Sequence, residues 1–566
     1  MNKPAPSLRR ATGRLCMALL LSTTLLWADR SLLWAQPGRA VELRSPFDTP
    51  LTLSGAFGEL RATHFHAGLD FRMGGLSGLP VKAVADGYIV RIGVSGASGG
   101  FIEVRHDNGL TTVGRHIERF LPGMNERLDS LRRALQSWEG ELRFAPEECR
   151  VRAGQTIAYG GNTGYSFGPH LHFELIDTHT GRYIDPLPFY KTRIVDTLSP
   201  RIQGLRLYAR EGEGCVAGRS GFCELPLKDP VVVEAWGKVG AAIKAYDYMN
   251  GTTNRYGIHR LRLEVDGKEV FSGGIDSFSP AEGRMVNGWS DEDYMRSFLL
   301  PGCELNMLRA DSLGRGWVTI DQERDYLFVY TLSDLHGNTV SRRFVVRGRP
   351  TPLPTDATPE KYRLVWNKPA LLQEPGMLLM LPAKALYDNL HLQPSYRLGD
   401  SAEVAAVYRL HTRSVPLAKA AELRLSLRHR PVADSTKYYA VRIDAKGRKH
   451  PVGGKLEGNT LVVPIHRLDT YSVSVDTLPP SIAALSRAKG ADAHRKVLRI
   501  GDSQSGIAKV TATLNGRYVL TGVPNLVSGL WECRLSPEQA REPAPRRLVV
   551  VATDRCGNTA RWEQTW

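Results

Sequence analysis

Gly164-Tyr165-Ser166-Phe167-Gly168-Pro169-His170-Leu171-His172-Phe173-Glu174 decides how the first part of the chain is read. Glycine and proline break the stretch as far as residue 169, and the residues after it alternate polar and apolar, as a half-buried strand does. Residues two apart in a strand share a face. His170 and His172 therefore project together, with Leu171 packed behind them. Upstream, His66-Ala67-Gly68-Leu69-Asp70 offers an imidazole and a carboxylate four residues apart. Seven of the fifteen histidines lie between residues 64 and 179: His64, His66, His106, His116, His170, His172 and His179.

Zinc takes nitrogen and oxygen donors in a tetrahedron, and a catalytic site supplies three of them and leaves the fourth position to water. His66, Asp70 and one histidine of the 170/172 pair make such a set. The other histidine and His116 remain beside the open position. The competing account makes these residues structural hydrogen-bonding groups. His106 is expected to brace a hairpin, and His64 and His179 to lie on the surface. No HExxH helix occurs, so a glutamate base of that type is not indicated.

The surrounding segments read as short strands. Pro80–Ile92 alternates, and Phe101–Arg105 and Leu110–Val113 flank Asp107-Asn108-Gly109, a strong hairpin-turn signal. Asn125–Leu142 differs. Leu128, Leu131 and Leu135 recur at spacings of three and four among charges, which predicts an amphipathic helix.

The His66–Asp70 pair, the hairpin with His106 and His116, Gly154-Gln155-Thr156-Ile157, the Gly164–Glu174 stretch and Asp185-Pro186 occur in an order that resembles the lysostaphin-type (LytM-type) zinc metalloendopeptidases, a family of β-rich peptidoglycan hydrolases. The match covers roughly residues 45–190. The resemblance implies one Zn2+ held by His66, Asp70 and His172, with His116 and His170 as catalytic histidines flanking a metal-activated water. Which of the two is the general base stays open. It also implies hydrolysis of peptide cross-links in bacterial cell wall, without fixing the scissile bond. The family usually carries a tyrosine two residues before the histidine at 116, where this chain has Gly114. An insertion at about residues 120–151 replaces what is commonly a short loop.

Past residue 190 an internal repeat appears. Asp196-Thr197-Leu198-Ser199-Pro200 recurs as Asp476-Thr477-Leu478-Pro479-Pro480, and Ser333–Thr339 (SDLHGNT) recurs as Thr553–Thr559 (TDRCGNT). Val265-Asp266-Gly267 is matched by Leu514-Asn515-Gly516. The fold class expected is mainly β: a lysostaphin-type peptidase domain with a helical insertion, then β-sandwich (Ig-like) modules. The divisions are a signal peptide at 1–36, the peptidase domain at 37–190, a β-sandwich with an insertion at 191–349, a β-rich module at 350–475 and a related β-sandwich at 476–566. In Asp334 and Asp554 the repeated turn carries one carboxylate each, thin support for calcium.

Lys3, Arg9, Arg10 and Arg14 precede an apolar run from Leu15 to Trp27, too short to span a bilayer, so residues 1–36 read as a cleaved export signal. Its removal takes away five basic residues and one acidic one, which lowers the formal charge from +16 to +12. A basic surplus suits an anionic partner such as a cell-wall polymer, a lipid surface or nucleic acid. No RNP, helix-turn-helix or zinc-finger signature accompanies it, so nucleic acid is not expected as a partner. No later stretch is long and apolar enough to form a transmembrane span. The chain is expected to be exported, whether periplasmic, envelope-associated or secreted. The six cysteines beyond Cys16 permit disulfides, and Cys215–Cys223 and Cys533–Cys556 are the pairings to test first, against free buried thiols.

Three functions compete on these grounds. The first is an exported zinc endopeptidase of peptidoglycan, whose C-terminal modules act as spacers, wall-binding units or docking units for a protein partner. The second is a catalytically inactive relative that regulates or activates other murein hydrolases. The third is an adhesion protein with the β modules as its working end.

Overall fold

The computed structural model describes residues 42–353, 358–399, 403–485, 495–522 and 524–566. The expected export signal and Cys16 lie outside the described residues. No helix among the described residues is long and apolar enough to cross a membrane.

Alternating patterning builds the first sheet. Its strands are β1 (Leu53–Gly55), β2 (Gly68–Arg72), β3 (Pro80–Lys82), β4 (Gly87–Ser95), β5 (Gly99–His106) and β6 (Leu110–Phe120). After helix α1 (Met124–Ala134) come β7 (Gly140–Arg143), β8 (Arg150–Val151), β9 (Thr156–Gly160), β10 (His170–Asp177) and β11 (Tyr183–Ile184). The spatial order is β1-β2-β10-β6-β5-β4-β7, with β9 added beside β6. Leu69, Phe71, Leu171 and Phe173 are buried on one face. There Phe71 packs edge-on against Phe173 and Tyr190, with ring centroids 5.7 and 5.6 Å apart. The period of two then sends Asp70, His170, His172 and Glu174 to the opposite face. Asp107-Asn108-Gly109 forms the turn between β5 and β6, with Gly109 at φ 85°. His106 bonds Thr112 Oγ1 at 2.9 Å across that hairpin and the Ala85 carbonyl, just before β4, at 3.1 Å.

The helix is shorter than its apolar spacing predicts. It ends at Ala134, Gln136 takes φ 47°, and Gly140–Arg143 extends the sheet by pairing with β4. Leu135 is exposed, so nothing buried rewards continuing the helix through it. The insertion packs on the far end of the chain. Arg132, almost fully buried, donates to the Thr521 carbonyl at 2.7 Å, and Trp138 meets Trp531 edge-on at 6.1 Å.

Beyond residue 190, β12 (Arg201–Val216), β13 (Phe222–Leu225) and β14 (Val232–Tyr246) belong to a sheet reaching Gly348. Two five-stranded sheets occupy residues 370–475, and a seven-stranded sheet runs from 481 to 565. The repeated turns are alike in detail: Asp266-Gly267 and Asn515-Gly516 both have positive φ at both residues, the backbone a tight hairpin requires. Neither disulfide forms, and all six described cysteines are free. Cys223 pairs across the sheet with Leu207 while Cys215 pairs with Trp236, which sets the two thiols far apart along β12. Cys533 lies in the core of the C-terminal sheet, and Cys556 packs instead against Tyr439 and Val441.

Candidate metal centre

Strand pairing brings the first two donors together, because Asp70 on β2 stands directly opposite His172 on β10. His66 enters from the segment just before β2. His66 Nε2, Asp70 Oδ1 and His172 Nδ1 then lie 3.1, 3.0 and 2.9 Å from one another. Tetrahedral zinc with bonds of about 2.0–2.1 Å would space its donors by ~3.3 Å.

The hydrogen bonds on the far side of each ring fix which nitrogen is free. His66 Nδ1 donates to the Ala56 carbonyl at 2.7 Å. His172 Nε2 donates to Glu174 Oε1 at 3.1 Å, and Glu174 in turn takes two bonds from Arg115, at 2.9 and 3.0 Å. With those protons committed outward, three lone pairs converge on one point. Such a set fits a divalent cation, and outward carboxylate and carbonyl partners of this kind hold metal-ligating imidazoles in orientation.

Electrostatics agree with the geometry. Burial opposes charge on Asp70, but His66 and His172 outweigh it and hold the carboxyl well below the usual range. Burial likewise opposes charge on His172, yet its bonds to Asp70 and Glu174 push it up to about 9. The pocket therefore favours positive charge between these groups. Gly55 is required for the close approach: a Cβ there would meet Asp70 Oδ2 at 2.4 Å.

His116 and His170 stand beside the three donors. His170 Nε2 lies 3.7 Å from Asp70 Oδ1, and the His116 and His170 rings are 4.6 Å apart. His116 Nδ1 donates to the Thr163 carbonyl at 2.8 Å, and His170 Nδ1 to the Gly168 carbonyl at 2.9 Å, so each leaves Nε2 unprotonated. A β-bulge aims His116. The β5–β6 register passes from Gly100↔Ile117 to Phe101↔Arg115, which leaves His116 as the extra residue at φ 64°. Burial first, and then the neighbouring His170, pull His116 down to about 3. Burial lowers His170 as well, against the opposing pull of Asp70. Both rings are neutral acceptors near pH 7.

The five residues singled out from sequence thus lie in one pocket, and His64, His106 and His179 lie outside it. Gly114 faces the core, where a Cβ would meet Leu171 and Ile102 at 3.2 and 3.3 Å. Sequence reasoning missed Arg115 and Glu174 as supports. The signal for Glu174 was present, since it falls two residues beyond His172 on the same strand face. It also missed Asn525, whose side-chain amide braces the loop ahead of His170.

A Zu5-like domain model matches residues 361–476. Over 115 residues the chain is 32% identical to the DD-carboxypeptidase/endopeptidase Mpg of Neisseria meningitidis, covering 20% of this chain and 21% of that protein. Over 152 residues it is 30% identical to the peptidoglycan DD-endopeptidase ShyC of Vibrio cholerae, covering 25% and 29%. The solved catalytic domain of lysostaphin from Staphylococcus simulans is 28% identical across 24% of this chain and 89% of that chain, with a TM-score of 0.19. The chain spans less than a third of the length of either of these full-length relatives. Over about a quarter of its length, this chain is similar to the lysostaphin-type (M23) peptidases.

Proposed function

We propose that the chain is an exported, zinc-dependent endopeptidase that hydrolyses peptide cross-links of bacterial peptidoglycan. The observation that carries this reading is the convergence of His66 Nε2, Asp70 Oδ1 and His172 Nδ1 within 2.9–3.1 Å, beside two neutral imidazoles. The similar proteins, a DD-carboxypeptidase/endopeptidase and a peptidoglycan DD-endopeptidase among them, suggest the substrate class.

His66, Asp70 and His172 would hold the zinc ion. Zinc there supplies Lewis acidity, lowering the pKa of water toward about 7 and polarising the scissile carbonyl. The remaining work falls to the chain's own side chains. His116 and His170 each present Nε2 as the free basic nitrogen, so either can take a proton from the attacking water and return it to the departing amine. The backbone carbonyls of Thr163 and Gly168 hold the two rings in that tautomer. Arg115 and Glu174 keep His172 turned toward the ion. Residues 37–190 form the catalytic unit in this proposal, and the segments 191–349, 350–475 and 476–566 serve as spacers, wall-binding or partner-docking modules.

Purified sacculi incubated with wild type and with His172→Ala test the reading. Wild type is expected to release soluble muropeptides, to stop on chelation and to recover with added zinc, while the variant releases none. Equal release by both proteins would contradict it and favour the regulator reading. Mass spectrometry of the released fragments identifies the scissile bond.

A further inference from the structure

The two copies of the repeated motif differ in one respect that their sequences do not advertise. Each gathers carboxylates: Asp196 and Asp334 with His336 in the first copy, and Asp476, half-buried Asp502 and Asp554 in the second. Asp334 and Asp554 do the same local work. Asp334 Oδ1 accepts from the Gly337 and Asn338 amides, and Asp554 Oδ1 from the Cys556 and Asn558 amides. The Asn338 and Asn558 side chains then reach the carbonyls of Asp196 and Asp476 at 3.3 and 3.1 Å.

The second copy closes itself with protein donors. Asp476 Oδ1 accepts from the Leu478 amide at 3.0 Å and Oδ2 from the Ser505 amide at 3.1 Å. In the first copy Asp196 Oδ1 accepts from the Leu198 amide at 3.0 Å, but no protein donor reaches Oδ2, although that side chain is fully buried. Asp247, at the end of β14 and 2% exposed, likewise has Oδ1 buried without a donor. His336 adds a further acceptor where the second copy has Cys556. Its Nε2 donates to the Ile194 carbonyl at 2.9 Å, so Nδ1 carries the lone pair, buried and unpartnered, 3.9 Å from Asp196 Oδ2. Asp196 Oδ2 and His336 Nδ1 are therefore buried acceptors without a protein donor, close to Asp334, whose Oδ2 takes only the Asn338 side-chain amide at 2.7 Å, and buried acceptors left unpaired are costly unless a cation joins them.

We infer that Asp196, Asp334 and His336 form a second divalent-cation site, of the mixed imidazole and carboxylate type that takes Zn2+ or Mn2+, and that the matching cluster of the second copy binds none. Imidazole favours zinc and its neighbours over calcium, while carboxylates accept manganese. Asp247, Asp334 and His336 line a cleft together with Ala56 and Phe57, so an ion can reach them. An ion there would tie the segment after residue 190 to the β14 sheet.

Metal content per chain after equilibrium dialysis against ZnCl2, and separately MnCl2, tests this in the full-length protein. The site predicts one bound ion that persists in His172→Ala and disappears in His336→Gln and in Asp196→Asn. Added Mn2+ should also raise the melting temperature of His172→Ala by several degrees and leave that of the His172→Ala/His336→Gln double variant unmoved. Circular dichroism identifies any variant that fails to fold, and the melting shift of His172→Ala alone then decides. A His172→Ala protein that binds no ion and shows no shift, or a folded His336→Gln protein that loses nothing, overturns the inference. The catalytic centre is scored separately, as the ion lost in His172→Ala.

Discussion

Asn525 reaches from the C-terminal sheet to the loop of Ser166, donating its side-chain amide to the Ser166 carbonyl at 2.9 Å and to that of Asn162 at 2.8 Å. The backbone on either side joins in, with the Gly164 amide on the Pro524 carbonyl and the Leu526 amide on the Gly164 carbonyl, at 2.9 and 2.8 Å. Ser166 Oγ in turn lies 3.2 Å from His170 Nδ1. The far end of the chain thus braces the loop that delivers a histidine to the candidate centre.

Asn525→Ala removes two of these bonds, worth about 1 kcal/mol each. Faster amide exchange over residues 161–168 is expected, with a several-fold loss in hydrolysis at unchanged metal content. An unaltered exchange profile would show that the brace does not matter. A chain ending near residue 190 should be impaired for the same reason.

Glu174→Gln keeps the shape of the side chain and loses the charge that orients His172 and neutralises Arg115. Zinc affinity should fall by roughly 10- to 100-fold, as it does when such outer partners are lost. Competition with a chromophoric chelator measures it, and an affinity equal to wild type would remove Glu174 from the account.

Gly55→Ala carries no backbone strain, since Gly55 is not among the positive-φ residues, but its methyl would fall on Asp70 Oδ2. Displacing that carboxylate should cost metal binding, with overpacking adding about 1–3 kcal/mol of destabilisation. Calorimetry and metal analysis of the same sample separate the two effects.

Asp185 gives a pH signature outside the candidate centre. Burial pushes its carboxyl up to about 6, so the folded state prefers the protonated form. Its contribution to stability is therefore complete below the unfolded value near 4 and is lost as pH rises through about 6. Asp185→Asn should gain on wild type between about pH 4 and pH 8, by at most ~3 kcal/mol. Urea unfolding across that range would show parallel curves if the argument fails.

The sequence carried the parts of this site that depend on local periodicity. His170-Leu171-His172 alternates in the structure as it does on paper, and the turn at Asp107-Asn108-Gly109 forms where its residues call for it. The helix was overextended because spacing alone does not say that Leu135 finds no partner, whereas Gly140–Arg143 finds a strand to pair with. Cysteine spacing was misleading for a similar reason, since cross-strand register rather than distance along the chain sets which thiols can meet. The bulge at His116, the Arg115–Glu174 support and the Asn525 brace depend on contacts between distant segments, which a single sequence does not display.

Anomalous diffraction at the zinc absorption edge from crystals of the zinc-loaded protein tests the central claim most directly. The account predicts a peak at about 2.0–2.2 Å from His66 Nε2, Asp70 Oδ1 and His172 Nδ1. Crystals grown in excess zinc with no peak among those three atoms would contradict it.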